Sequence, residues 1–149
     1  MAGDNILLGQ AHSKCMRSQV FEFERGQMKK PQVALRVVIH RSPGIHAREL
    51  HIPAGMDITG RVHRFENLNI LSQGEMLVTT EHGMEHVKAP FTCVSPAGTK
   101  RAARTITDCV WTTILGTDET DPDIIEQLFT TNDEQEFLSG AGILNIEGN

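Results

Sequence analysis

Arg61 and His63 stand two residues apart near the middle of the chain, with Asn67 and Asn69 close behind. Residues i and i+2 on a strand face the same side, so a strand here aims a guanidinium and an imidazole together. A guanidinium fork grips phosphate or carboxylate in bidentate fashion, more strongly than a neutral hydrogen bond does. Asn67 and Asn69 add amides able to read a base or sugar edge. Further along, Lys100-Arg101 supplies more positive charge. Trp111, the only Trp, shares a strand face with Cys109 and Thr113 and can stack on a ring. Each group also has a purely structural reading. Trp111 can be core packing and His63 a satisfied buried histidine. Arg61 and Arg101 can be partners of Glu49, Glu66 or Glu75, and Cys93 and Cys109 small apolar fillers.

Other chemistries find less support. His40, His46, His51, His82 and His86 are numerous for 149 residues. The His82/His86 spacing suits a helix, but this stretch holds Gly83 and reads as strand, turn and strand. His46 and His51 have opposite parity on one strand. There is no G-x-S-x-G elbow, no phosphate-binding glycine loop and no Tyr. The three cysteines, Cys15, Cys93 and Cys109, are an odd number without a C-x-x-C pair. Reduced thiols in a cytoplasmic protein are therefore expected rather than a disulfide framework or a zinc ribbon.

Charge is unevenly placed. Residues 1–116 hold 14 basic and 10 acidic side chains, whereas residues 117–149 hold nine acidic ones and no basic one. A mildly basic body attracts an anionic ligand. It lacks the basic runs and interleaved aromatics of a nucleic-acid binder, so no nucleic-acid partner is expected. The acidic tail reads as a solvated helix face. No apolar stretch approaches the roughly 20 residues that span a bilayer. The first residues show no basic start followed by an apolar run, so neither a membrane partner nor a secretory leader is expected.

The elements that must position these groups are mostly strands. Strand-length segments run over Val33–Ile39, Ile45–Ile52, Arg61–Phe65, Leu68–Ser72, Glu75–Thr80, Met84–Lys88, Phe91–Val94, Arg101–Thr107 and Cys109–Leu115. Turn residues such as Ser42-Pro43-Gly44, Pro53-Ala54-Gly55 and Ser95-Pro96-Ala97-Gly98 separate most of them. Many short strands at close spacing, with nothing helical between them, mean an antiparallel sandwich or barrel. Residues 1–30 read as an irregular arm, with Val20–Glu24 as a short strand. In the tail, Asp121-Pro122 caps and opens a helix whose face is Ile124, Ile125, Leu128 and Phe129. Asn132-Asp133 caps a second helix, Glu134–Leu138, stopped by Gly140.

Two blocks carry a family resemblance. Ile52-Pro53-Ala54-Gly55 leads into Gly60-Arg61-Val62-His63-Arg64-Phe65-Glu66-Asn67, with Gly74 closing a turn. Ser95-Pro96-Ala97-Gly98-Thr99-Lys100-Arg101 follows. Together, over residues 45–115, they resemble the motifs of the cupin superfamily. The first of those motifs is a glycine, a His-x-His pair, an acidic residue and a closing glycine. The second is Pro-x-Gly-x-x-His. The resemblance implies an all-β, cupin-type double-stranded β-helix (jelly roll) over residues 31–116. An N-terminal arm (1–30) precedes it and an acidic tail of short helices (117–149) follows. It also places Arg61, His63, Asn67 (with Glu66 one residue off register) and Arg101 at the family's metal-ligand positions.

Only His63 keeps a ligand of the family type. An Arg is always protonated and repels a cation, so neither a metal nor another cofactor is expected. Arg61 and Arg101 instead imply an anion site, lined by His63, Asn67, Asn69, Trp111 and Thr113, with Lys100 pointing out. The implied function is a non-catalytic, metal-free cupin that binds a small anionic molecule: a nucleotide, nucleotide-sugar or nucleotide-derived signal. The main alternative is a cupin enzyme, a sugar-nucleotide epimerase or isomerase or a metal-dependent dioxygenase. There His63 would act as general base, oriented by Glu66 or Glu75. A virion structural or assembly role is the third. The stretches Leu68-Asn69-Ile70-Leu71 and Asp108-Cys109-Val110-Trp111 also look like small cupin-like proteins of tailed phages. That likeness implies the host cytoplasm and sequestration of a host defence signal. Jelly rolls of this type pair through outer strands, so a homo-oligomer is expected, most simply a dimer.

Overall fold

The computed structural model describes residues 16–80 and 82–139. Cys15 and Gly140, each given a role above, lie outside the described residues. Residues 16–27 form helix α1. The strands follow as β1 (Arg36–Ser42), β2 (Ile45–Ile52), β3 (Asp57–Thr59), β4 (Val62–His63), β5 (Asn67–Gln73) and β6 (Glu75–Thr80). Then come β7 (Gly83–Lys88), β8 (Phe91–Ser95), β9 (Ala102–Thr105) and β10 (Cys109–Leu115). The chain ends in α2 (Pro122–Phe129), β11 (Thr130–Thr131) and α3 (Glu134–Ser139).

The strands build an antiparallel jelly roll. One sheet has the order β1-β2-β10-β5-β8 and faces a second with the order β3-β9-β6-β7. Ile52, Leu71 and Cys109 from the first meet Met76, Val78, Val87 and Ala103 from the second in one core. Cys109 is a buried filler as expected; burial pushes its thiol pKa up. Gly74 turns between β5 and β6 at φ 93°. A Cβ there would collide with the Asp108 carbonyl and the Cys109 sulfur, so only glycine fits. No helix among the described residues is long and apolar enough to cross a membrane.

Three local expectations are corrected. Val20–Glu24 is part of α1, not a strand. Its inward face is Arg17, Val20, Phe21 and Glu24, a helical spacing in which two of the inward residues are charged, which hides the stripe from a hydrophobicity reading. Arg17 is only 5% exposed and pairs with Glu134 at 2.9 Å. The strand expected over Arg61–Phe65 shrinks to Val62–His63, which pairs with β11 through Thr131 and Thr130. The tail is not simply a solvated face: Glu126 pairs with Arg61, Glu134 with Arg17, and Glu136 with Arg64. The tail helices otherwise follow expectation. Asp121 caps α2 by accepting from the Asp123 N–H. Asp133 caps α3 by accepting from the N–H groups of Gln135 and Glu136. Within the face expected of α2, Ile125 is buried but Ile124 stays 40% exposed.

Candidate functional site

Strand register decides which side chains share the barrel interior. Arg48 on β2 stands opposite Thr113 on β10, which stands opposite Asn69 on β5. One step along, Leu50, Trp111 and Leu71 form the next row. Because side chains alternate faces, both rows point the same way, into the space between the sheets. That space is a cavity of about 860 Å3, also lined by Ile58 on β3, Val78 on β6, Ala103 on β9 and Phe129 on α2. Its volume falls in the roughly 300–1,000 Å3 range of small-molecule sites.

Asn69 is 4% exposed and organises the polar wall. Its Nδ2 donates to Asn67 Oδ1 (2.7 Å) and Ser95 Oγ (2.9 Å). Its Oδ1 accepts from Trp111 Nε1 (3.2 Å) and Thr113 Oγ1 (2.8 Å). Asn67 Nδ2 in turn donates to the Phe65 carbonyl. Thus four of the residues expected at the site converge, but they satisfy one another. Ser95, absent from the expectations, joins this network to Arg101, whose Nη2 donates to Ser95 Oγ at 2.7 Å.

Arg101 follows the Gly98 turn and leads into β9. Its Nη1 donates to the Thr79 carbonyl at 2.6 Å. Thr79 Oγ1 accepts from the Ala102 N–H, fixing the same stretch of backbone. Arg101 Nε is buried with no hydrogen-bond partner among the described residues. None of the expected carboxylates reaches it: Glu49 contacts His40 and His51, and Glu75 contacts His86 and Lys88.

His63 is held by its backbone, which donates to the Thr99 carbonyl and accepts from the Gly98 N–H. Burial first, then Arg101 and Arg48, push its pKa from the ordinary 6.5 down to about 4, so the ring is neutral at pH 7. Its Nδ1 is buried without a partner among the described residues, as is that of His46. His46 also lines the cavity, and burial with Arg41 and Arg48 lowers its pKa. His46 and Arg48 were both legible in principle, since they share strand parity with Leu50 and Ile52.

Arg61 departs from the expectation that it would join Arg101. Residue 61 precedes β4, so the parity argument does not apply. It lines the cavity from the edge, 41% exposed, with Nε donating to Thr130 Oγ1 (2.9 Å) and 3.3 Å from Glu126. Arg48, an exposed side chain, lines the same cavity from β2 and adds a guanidinium that the expectations did not include. Glu66 is exposed and outside the cavity lining, so it does not orient His63. Lys100 points away from Arg101 as expected, yet is buried beneath α1. There its Nζ donates to Glu24, the Gly60 carbonyl and Asn132, and sits 4.4 Å from the Phe21 ring.

The donor set does not fit a divalent metal. Two imidazoles, His46 and His63, share the cavity lining with three guanidinium groups, Arg48, Arg61 and Arg101, and no carboxylate joins them in a ligand set. Among the described residues no cluster of three His, Cys, Asp or Glu side chains could hold a metal ion.

No family model matches the chain, and no curated protein matches it in sequence. Solved structures do resemble it. KdgF from Halomonas sp. is 15% identical over 64% of this chain and 89% of its own, with a TM-score of 0.50. A cupin superfamily protein from Desulfitobacterium hafniense is 13% identical over 60% and 83%, TM-score 0.48. A protein with a double-stranded β-helix domain from Klebsiella pneumoniae gives 13%, 61%, 80% and 0.48. The architecture is a cupin-type jelly roll, and at these identities the likeness speaks of fold alone.

Proposed function

We propose that the cavity binds a small organic anion through its arginines, without a metal, and that the chain is a binding module rather than an enzyme. Nucleotides, nucleotide-sugars and nucleotide-derived signals belong to this ligand class. The observation that carries the reading is Arg101. A guanidinium brought into a barrel interior, anchored by a hydroxyl and a carbonyl but facing no carboxylate, leaves a charge to be met by a ligand. Arg48, on β2 of the other sheet and lining the same cavity, makes a second grip for the same anion.

The enzymatic alternative asks His63 to serve as general base. A base works best with a pKa near the working pH, and a ring held down to about 4 is a weak one at neutrality. It also lacks the carboxylate that would orient it.

Mass spectrometry of what co-purifies identifies the anion, and titration then tests the site. Affinity is expected to fall at least tenfold in Arg48→Ala and in Arg101→Gln, the loss of one charge-assisted contact each. Unchanged affinity in both variants overturns the reading.

A further inference from the structure

The polar groups of the cavity divide sharply into those already used and those left over. Asn69 makes four hydrogen bonds within the wall, and Asn67, Ser95, Thr113 and the Trp111 N–H are each engaged with it. These are the groups that would otherwise read a base edge or a sugar hydroxyl, and they are turned toward one another. The lining carboxylates are no more available. Asp57 is held bidentately by Arg104, Glu126 faces Arg61, and Asp123 sits exposed in the first turn of α2. What remains for a ligand is, at buried positions, the Nε of Arg101 and the Nδ1 atoms of His46 and His63, and at less buried ones Arg48, Lys30 and the amides of Gln27 and Gln32.

The rest of the lining is apolar and comes from both sheets and α2. Leu50 and Trp111 stand one strand step from Arg48 and Thr113. Ile39, Ile58, Val78 and Phe129 enlarge that surface. The cavity is therefore two-ended, with a donor-rich cationic row beside an acceptor-poor hydrocarbon wall.

We infer that the ligand is an amphiphilic organic acid, a carboxylate on an apolar body, rather than a nucleotide or sugar derivative. The carboxylate lies between Arg48 and Arg101, and the body lies along Leu50 and Trp111. This rests on the anion-binding reading above and narrows it. A nucleobase or sugar would bring several donors to a wall whose amides and hydroxyls already satisfy one another, where the imidazole Nδ1 atoms are the buried acceptors left, and each buried unmet donor weakens binding. A hydrocarbon body loses nothing polar and gains about 0.8 kcal/mol, a fourfold rise in affinity, for each buried methylene.

Calorimetric titration with butyrate, hexanoate, octanoate and decanoate below their micellar concentrations tests this, with decanol, AMP and inorganic phosphate as comparisons. Affinity is expected to climb about fourfold per methylene along the acids. It should fall at least tenfold in Arg48→Ala, a solvent-exposed lining side chain whose loss spares the core. Decanol binding as tightly as decanoate overturns the inference. So does AMP or phosphate binding that depends on Arg48 while the acids bind without a length dependence; that result leaves the anion site standing. No binding by any anion, or binding indifferent to Arg48, removes both readings together.

Discussion

At the scale of single residues, the cavity holds an imidazole kept neutral by burial first and then by the nearby guanidinium groups of Arg101 and Arg48. His63 has its pKa lowered from 6.5 to about 4. The unfolded chain therefore takes up this proton well before the folded one, and stability falls as pH drops through that window. Above pH 6.5 the contribution is complete; by pH 4 most of it is gone. The difference corresponds to something on the order of 3 kcal/mol. His46 adds a loss in the same direction. Urea unfolding of His63→Asn between pH 7 and pH 4 is expected to show a shallower loss of stability than the unaltered chain. Parallel curves for the two would mean that His63 is not held neutral by its surroundings. Asn69 shows the same dependence on neighbours: its two amide ends fix Ser95 and Trp111, and Ser95 fixes Arg101. The wall thus fixes where the Arg101 guanidinium lies.

At the scale of elements, α1 is held to the barrel by charge as much as by apolar contact. Lys100 has a side chain with no exposed surface, and Glu24 on α1 supplies its carboxylate at 2.9 Å. Burial lowers the Lys100 pKa, while the hydrogen bond and charge of Glu24 pull it back up. Removing one member of such a pair leaves the other buried and uncompensated. Glu24→Ala is therefore expected to cost roughly 3 kcal/mol in chemical denaturation. Glu24→Gln, which keeps hydrogen bonds to Thr59 and Lys100, should cost less. Equal stability of Glu24→Ala and the parent would show that the Lys100–Glu24 pair does not hold α1 to the barrel. The same arrangement explains what was legible in the sequence. Strands with clean alternation and glycine or proline turns, such as Ile45–Ile52 and Glu75–Thr80, have the expected bounds. Helix α1 was missed because Arg17 and Glu24 occupy its inner face. Parity placed Arg48 on the face of Leu50 and Ile52, but that this face lies beside Thr113, and through it Asn69, follows only from strand pairing across many positions. Arg61 was misplaced because β4 is a two-residue strand that begins after it.

At the scale of the whole molecule, the acidic tail and basic body are complementary parts of one surface. The tail crosses the body and gives β11 to β4, the strand that carries His63. Its three ion pairs among the described residues are not equivalent, and burial ranks them. Arg61 and Glu126 are 41% and 54% exposed, so water and salt screen them and their pairing is worth less than about 1 kcal/mol. Arg17 is 6% exposed in its side chain, anchored to the Gly98 carbonyl and lying 5.0 Å from the Phe137 ring. Deleting its carboxylate strands a buried guanidinium, so Glu134→Ala is expected to cost about 2 kcal/mol, discounted because Glu134 itself is partly exposed. Thermal unfolding at low and at high salt separates the two cases. The Glu126→Ala effect should be small and vanish at high salt, whereas the Glu134→Ala effect should persist, because a pair with one buried member is screened less. If both variants unfold like the parent, these two pairs do not hold the tail, which then rests on β11 and the Arg64–Glu136 pair. If only Glu134→Ala is destabilised, the charge division between body and tail is a docking code written around Arg17.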